Sequence, residues 1–379
     1  MRVLLLSAYA ANSHVQWRKA LQSMFPHWQW TVLELPPRHF SWRVRGNPLH
    51  WALAERERLE SPADLLLATS MVDVATLRGL VPTLAELPLV LYFHENQFDY
   101  PPNKGNAETG QNLLEAQIVS LYSALAADRL LFNSRYNLDT FVGGVARLMS
   151  RLPDYVPPNV AGVLRDKSDV LSVPVEQLGR GSAHWPQSES ASRPRKLRLL
   201  WCGRFEYDKG PEHLLCTLSA LERRGLDYEL ALVGQQFRNM PDQFEVIATE
   251  FSHRLVHFGY VDAAAHYRGL LRGADIVLST SLHEFQGLAP MEAVAAGCIP
   301  VVPDRLAYRE FYPACFRYAS SPEAPMREAE AAAELIEAAS VDSARFQRKL
   351  PDLARFSPQH LAPEYERLMR SALIVRDGH

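Results

Sequence analysis

Glu284 and Glu292 stand seven residues apart in SLHEFQGLAPMEAVAAGCIPVV. A strand-like run, Ala274 to Ser281, comes before them, and a second apolar run, Ile299 to Val302, comes after. Pro290 suits the first turn of a helix between the two runs and Gly297 suits its end. The stretch therefore reads as strand, loop, helix, strand, with one acid in the loop and one early in the helix. Two acids so placed can each grip a pair of sugar hydroxyls. The N–H groups of Gly287, Leu288 and Ala289 face the same space, where a helix start favours an anion by ~0.3–1 kcal/mol. Two solvated acids flanking a buried helix would fit the same letters.

A second group lies upstream in WCGRFEYDKGPEHLL, Trp201 to Leu215. A strand ends at Gly203, and Arg204 and Lys209 follow before a helix. Two cations at a strand's C-terminal end can neutralise a diphosphate, with charged hydrogen bonds worth ~1.5–3 kcal/mol each. The alternative is an exposed loop in which Lys209 pairs with Asp208 or Glu206. Two further strand exits, ALVGQQF around Gly234 and VHFGYV around Gly259 and Tyr260, offer close backbone approach to a ligand or ordinary turns. Near the N-terminus, SAYAANSHVQW carries Ser13 and His14 at a helix start, with Ser13 a good cap. VLYFHENQFDYPPN ends a buried-looking strand in His94, Glu95, Asn96 and Gln97.

Glu284 to Gly287, then Glu292 and Ala-Ala-Gly, resemble the E-x7-E signature of retaining GT-B glycosyltransferases of the family-4 type. Arg204 and Lys209 match the GR-x4-KG element of the same enzymes. The resemblance implies two Rossmann-like, doubly wound α/β domains facing a cleft. Glu284 would bind the donor sugar and Glu292 the nucleotide ribose. Arg204 and Lys209 would hold the pyrophosphate. Gly234, Tyr260, Gly287 and Leu288 would line the donor, and His94 would lie beside its sugar. That family often has paired glycines after the first strand. Here Ala10, Ala11 and Asn12 stand there, with Ser13 and His14 carried over as donor contacts.

HENQFDYP, together with FSWRVRGNPLHW (Phe40–Trp51), is similar to the tRNA-queuosine α-mannosyltransferases. That family implies GDP-mannose as donor and the cyclopentenediol of queuosine in the tRNA(Asp) anticodon as acceptor. Glu95, Asn96, Gln97, Arg38, Trp42, Arg43 and Arg45 become the acceptor-side candidates. From Pro36 to Trp51 the chain carries Arg38, His39, Phe40, Trp42, Arg43, Arg45, His50 and Trp51 and no acid. Cations interleaved with aromatics suit an anticodon loop, where phosphates pair with arginine and splayed bases stack. A basic loop packing its aromatics inward is the other reading. Arg135, Arg147 and Arg151 are candidates to extend the patch.

The elements that must position these groups alternate along the chain. Strands are expected at Val3–Ala8, Trp30–Leu35, Asp64–Thr69, Leu89–His94 and Arg129–Phe132, and helices at Val15–Phe25, Asn47–Leu59, Thr109–Ala127 and Asn137–Met149. Strands so short and apolar suit a parallel sheet covered on both faces. A Ser-, Gly-, Pro- and Arg-rich stretch separates a second series, with strands at Leu197–Cys202, Glu229–Val233, Arg254–Phe258, Asp275–Thr280 and Ile299–Val302. Its helices are expected to start near Pro211, Pro241, Asp262 and Pro290. The expected division is residues 1–175, a linker at 176–195 and a donor-binding domain at 196–356, with a final helix near 357–379 packing back on the first domain.

The 379 residues, 47% of them hydrophobic, suffice for two full cores. A net charge of −3 gives no global pull toward nucleic acid. Cys202, Cys216, Cys298 and Cys315 form no close pair or zinc spacing, which fits a reducing cytoplasm. The apolar start is too short for a signal peptide, and no stretch approaches a membrane span. There is no D-x-D triplet, no G-x-x-x-x-G-K-[ST] loop and no H-E-x-x-H, so a metal-independent transferase without cofactor is expected. Its partners would be a nucleotide sugar and a tRNA anticodon stem-loop, with no membrane and no obligate protein. Two alternatives remain: a GT-B transferase acting on a lipid-linked or surface glycan, with Asn137–Met149 as a membrane-facing helix, and an RNA-binding protein with a vestigial donor site.

Overall fold

The structure is a computed structural model that describes residues 1–99, 109–178, 183–186, 195–237 and 239–377, the side chains of 109–112 and 375–377 excepted. Tyr100 and Pro101 of the HENQFDYP string lie outside the described residues, as do 179–182 and 187–194 of the expected linker. The chain forms two compact units, Met1–Pro174 with Pro358–His379, and Val175–Ser357.

The first unit holds six parallel strands: β1 (Arg2–Ser7), β2 (Gln29–Glu34), β3 (Leu65–Thr69), β4 (Leu89–Phe93), β5 (Arg129–Phe132) and β6 (Ser168–Val170). Their order is β2-β1-β3-β4-β5-β6. Every residue of β3 and β4 is buried, as a parallel sheet covered on both faces requires. The helix Arg135–Met149 buries Leu138, Phe141, Val142, Val145 and Leu148 in this core, so its apolar face is spent there and not on a membrane. Arg135 opens that helix at the exit of β5. Arg147 lies on the same helix about 18 Å further along.

The second unit holds β7 (Leu197–Cys202), β8 (Tyr228–Val233), β9 (Leu255–Gly259), β10 (Ile276–Leu278), β11 (Ile299–Pro303) and β12 (Arg317–Tyr318). The order β12-β11-β10-β7-β8-β9 is the doubly wound dinucleotide-fold order read from its far edge. The chain reverses direction across the sheet between β7 and β10, and the strand exits at such a switch point form the usual ligand crevice. Of the residues expected to be linker, Trp185 is instead buried, its Nε1 donating to Glu229 at 2.8 Å with the Arg198 guanidinium 5.6 Å from its ring.

Several helix starts differ from expectation. Ser13 lies inside the first turn of Asn12–Met24, and Ala11 is the cap, with no side-chain bond. Asp262 does not cap either; Ala263 precedes the helix Ala264–Gly273. Pro241 lies outside the helix Gln243–Glu250, and Pro290 is third in Leu288–Ala295. The largest change concerns Phe40–Ala54, a helix that begins seven residues before the expected Asn47 and runs through Pro48. Proline removes the N–H that would bond the Val44 carbonyl. Asn47 Nδ2 replaces it, donating to Val44 O at 3.0 Å and to Arg43 O at 2.8 Å.

Candidate active site

At the switch point of the second unit, β7 leaves through Gly203 and Arg204, and β10 leaves through Thr280 toward Glu284. Lys209 joins the two exits: its Nζ donates to Glu284 Oε2 at 3.0 Å and to the His283 carbonyl at 3.2 Å. It also pairs with Asp208 at 3.3 Å, so the Asp208 pairing weighed from the sequence coexists with the Glu284 contact. Asp208 is buried, and its carbonyl accepts from the N–H groups of Leu282 and His283, at 2.8 and 3.1 Å. Burial works against the Lys209 charge, but Asp208 and Glu284 outweigh it and raise the ammonium's pKa. Burial likewise opposes the Asp208 carboxylate, yet Lys209 and Arg204 hold its pKa below the ordinary value.

Arg204 reaches Glu206 at 2.9 Å and Asp208 at 3.4 Å. Burial raises the Glu206 pKa, partly offset by Arg204. Two cations thus face three acids. An anion entering here would have to displace Glu206 from Arg204 and Glu284 from Lys209. The half-exposed Arg204 and the partly open Glu206 form the contact that can exchange most cheaply.

The turn around this network requires glycine at two places. Gly210 has φ +65, and a Cβ there would come within 2.1 Å of the Thr280 carbonyl. Gly287 has φ +80 and packs on Tyr308, whose hydroxyl meets Ser279 Oγ at 2.6 Å. No side chain caps the helix that follows, Leu288–Ala295. At Gly234 the space is taken by protein and not left for a ligand: an added Cβ would lie 1.7 Å from the Gly203 carbonyl. Tyr260 is half-exposed at the β9 exit, next to Gly259.

Glu292 is partly buried, and Tyr267 Oη donates to it at 2.8 Å. Burial pushes its pKa up to about 7; Tyr267 pulls it down, Glu176 pushes it up and Arg268 lowers it.

Beneath these groups lies a support that sequence reading missed. Arg305 donates to the carbonyls of Thr280 and Ser281 at 3.3 and 2.9 Å, while Tyr318 donates to the Ser279 carbonyl at 2.7 Å. Arg305 is itself held by the buried Glu328 at 2.6 Å. Three consecutive carbonyls leading to Glu284 are thereby fixed by side chains. No local pattern marks Arg305 or Glu328; only the fold joins them.

In the first unit, the helix after β1, Asn12–Met24, carries His14, and β4, separated from β1 by β3, exits at His94. The imidazoles stack with centroids 4.0 Å apart and planes 19° apart. Both are buried, and both His14 ring nitrogens and His94 Nε2 lack a hydrogen bond. His14 Nε2 lies 3.5 Å from Glu95 Oε2. Burial, with His14 nearby, lowers the His94 pKa well below the ordinary imidazole value. Asn96 and Gln97 do not project outward as expected. Asn96 Nδ2 is spent on Asn137 and Thr140, and Gln97 Nε2 faces Met71 Sδ. Of the run from His94 to Gln97, Glu95 alone is partly open.

The basic and aromatic segment is the helix Phe40–Ala54, entered through His39 in the left-handed region, φ 56. Arg38 is exposed, Arg45 pairs with Asp73 at 3.2 Å, and Trp42 is 57% exposed with its indole lying across Gly46. Arg43 is partly buried, with its Nε sealed and unpaired. Trp51 belongs to the core. Among the described residues no group of three His, Cys, Asp or Glu comes together to hold a metal, and no helix is long and apolar enough to cross a membrane.

Comparison with known proteins bears on both units. Residues 2–175 match the family described as tRNA-queuosine alpha-mannosyltransferase N-terminal, and residues 187–345 match glycosyl transferases group 1. The tRNA-queuosine alpha-mannosyltransferase of Drosophila melanogaster is 33% identical over 82% of this chain and 81% of its own. A GDP-mannose:cellobiosyl-diphosphopolyprenol alpha-mannosyltransferase from Xanthomonas oryzae pv. oryzae is 26% identical over 50% of this chain and 43% of its own. Among solved structures, a sucrose-phosphate synthase from Thermosynechococcus elongatus superposes with a TM-score of 0.68 at 15% identity, over 98% of each chain. The fold is GT-B, and the chain is a glycosyltransferase.

Proposed function

Because the chain belongs to the tRNA-queuosine α-mannosyltransferase family, we propose that it transfers mannose, with retention, from GDP-mannose to the cyclopentenediol of queuosine in the anticodon of tRNA(Asp). The observation that carries the transfer chemistry is the Lys209–Glu284 contact at 3.0 Å, which joins a phosphate-seeking cation to a sugar-seeking acid at one switch point. The name of the Xanthomonas relative supports the choice of donor.

In the proposed reaction the bond from the sugar's anomeric carbon to the diphosphate oxygen breaks. A bond from that carbon to a queuosine hydroxyl oxygen forms on the same face. The departing phosphate takes the acceptor's proton, and GDP leaves. Arg204 and Lys209 stabilise the negative charge as it develops, an electrostatic role that needs no metal and no further cofactor. Glu284 orients the sugar, Glu292 anchors the ribose, and the amides of Gly287 and Leu288 face the diphosphate. His94 acts on the donor sugar, as the resemblance implies, with His14 beside it. Glu95 and the helix carrying Trp42 serve the acceptor, whose bases stack and whose phosphates pair with Arg38, Arg43 and Arg45. The enzyme works where tRNA does, in the cytoplasm.

The test is mass spectrometry of tRNA nucleosides after incubating the purified protein with GDP-mannose and queuosine-containing tRNA(Asp). A hexose added to queuosine is expected. Slow hydrolysis of GDP-mannose without addition would move the acceptor to a glycan. No turnover of any nucleotide sugar would revive an RNA-binding role.

A further inference from the structure

His94 carries no hydrogen bond at Nε2, and three rings pack against its imidazole. His14 covers one face at 4.0 Å. Trp17 meets it edge-on at 4.9 Å and 87°, and Tyr92 lies 4.7 Å away at 59°. Trp17 and Tyr92 also stack on each other at 4.4 Å. Both lead to one atom, the hydroxyl of Tyr365 in the helix Pro358–Asp377. Trp17 Nε1 donates to it at 3.1 Å, and the Tyr92 hydroxyl lies 3.3 Å from it. A hydroxyl has one proton to give. Tyr365 gives its proton to the Ser172 carbonyl at 2.9 Å, and Tyr92 gives its own to Leu171 at 2.7 Å. Trp17, Tyr92 and Tyr365 are all buried.

We propose that Tyr365 is a positioning residue for His94: its hydroxyl fixes the Trp17 indole, and the indole, stacked on Tyr92 and edge-on to His94, sets the angle of the imidazole. It touches no substrate. A ring packed only by other rings slides when one of them is released, and displacement of a reacting group by about 1 Å can cost ~100-fold. The inference rests on His94 serving catalysis, as proposed above.

Tyr365→Phe keeps the ring and removes the hydroxyl. It is expected to lower kcat by about 10- to 100-fold with the KM for GDP-mannose unchanged. Trp17→Phe, which removes the indole N–H, should do the same and serves if the first variant folds poorly. The decisive measurement is the pair in a His94→Gln background, where Tyr365→Phe should cost nothing more. An equal loss in both backgrounds, or wild-type kcat in Tyr365→Phe, overturns the inference. Wild-type kcat in His94→Gln alone overturns the catalytic reading of His94 first, and the inference with it.

Discussion

The two units build their strand-exit sites from opposite materials. In the second unit the site is charge: Arg204, Asp208, Lys209 and Glu284 are linked at 3.0–3.4 Å, and each ion has a counter-ion. In the first unit it is aromatic packing: His14, His94, Trp17 and Tyr92 hold one another, and His14 Nε2 has only the Glu95 carboxylate at 3.5 Å beside it. A charged network can receive a diphosphate by exchanging partners. A ring stack presents polar atoms already stripped of water, which favours a neutral contact such as a sugar hydroxyl.

That contrast can be broken most severely through Arg305. Arg305→Met leaves Glu328 buried without its cation, and removing one member of such a pair costs about 3–5 kcal/mol. Urea unfolding should show that loss, and Arg305→Met with Glu328→Leu should recover much of it. An unchanged midpoint would mean that the carbonyls before Glu284 are held by Tyr318 and the strand alone.

Lys209→Ala comes next. The loss of an electrostatic donor to a developing oxyanion lowers kcat by about 100- to 1,000-fold, read from nucleoside mass spectrometry at saturating donor. Thermal unfolding should fall much less, because Asp208 keeps Arg204 and its backbone bonds. Normal turnover would remove Lys209 from the chemistry.

The smallest effect sharpens the comparison through pH. Folding raises the Glu292 pKa from 4.5 to about 7, so the folded chain binds more protons than the unfolded one between those values. This contribution to stability is fully present below 4.5 and is lost as pH rises through 7. Glu292→Gln should flatten the dependence and stabilise the ligand-free protein at pH 8 by roughly 1–3 kcal/mol. A ribose diol needs the ionised carboxylate as acceptor, so the wild-type KM for GDP-mannose should fall as pH rises through 7. A flat KM profile would detach Glu292 from the ribose.

Much of the charged site was legible in the sequence, because the spacing of its acids and cations resembles the E-x7-E and GR-x4-KG elements of a known family. Lys209 and Glu284 were named, and they touch. Their supports were not legible. Arg305 meets Glu328 across a helix and a strand, and Trp17 meets Tyr365 across 348 positions, distances over which no periodicity carries. The helix at Phe40 was hidden for a different reason. Asn47-Pro48 reads as a start, and only the Asn47 side chain, standing in for the missing N–H, lets the helix pass through. Gly234 was noticed for close backbone approach, but what approaches is the Gly203 carbonyl and not a ligand. Asn96 misled because the helix Arg135–Met149 claims its amide, and Gln97 because its amide turns inward to Met71.

Tyr365 also sets an order in time. A ribosome emits Trp17, Tyr92 and His94 early, then the whole of Val175–Ser357, and only then the helix that carries Tyr365. The first sheet can collapse on emergence, but the ring stack waits for the end of the chain. A nascent chain stalled before residue 365 would have its second unit's residues complete and its first unit's ring cluster without the Tyr365 hydroxyl.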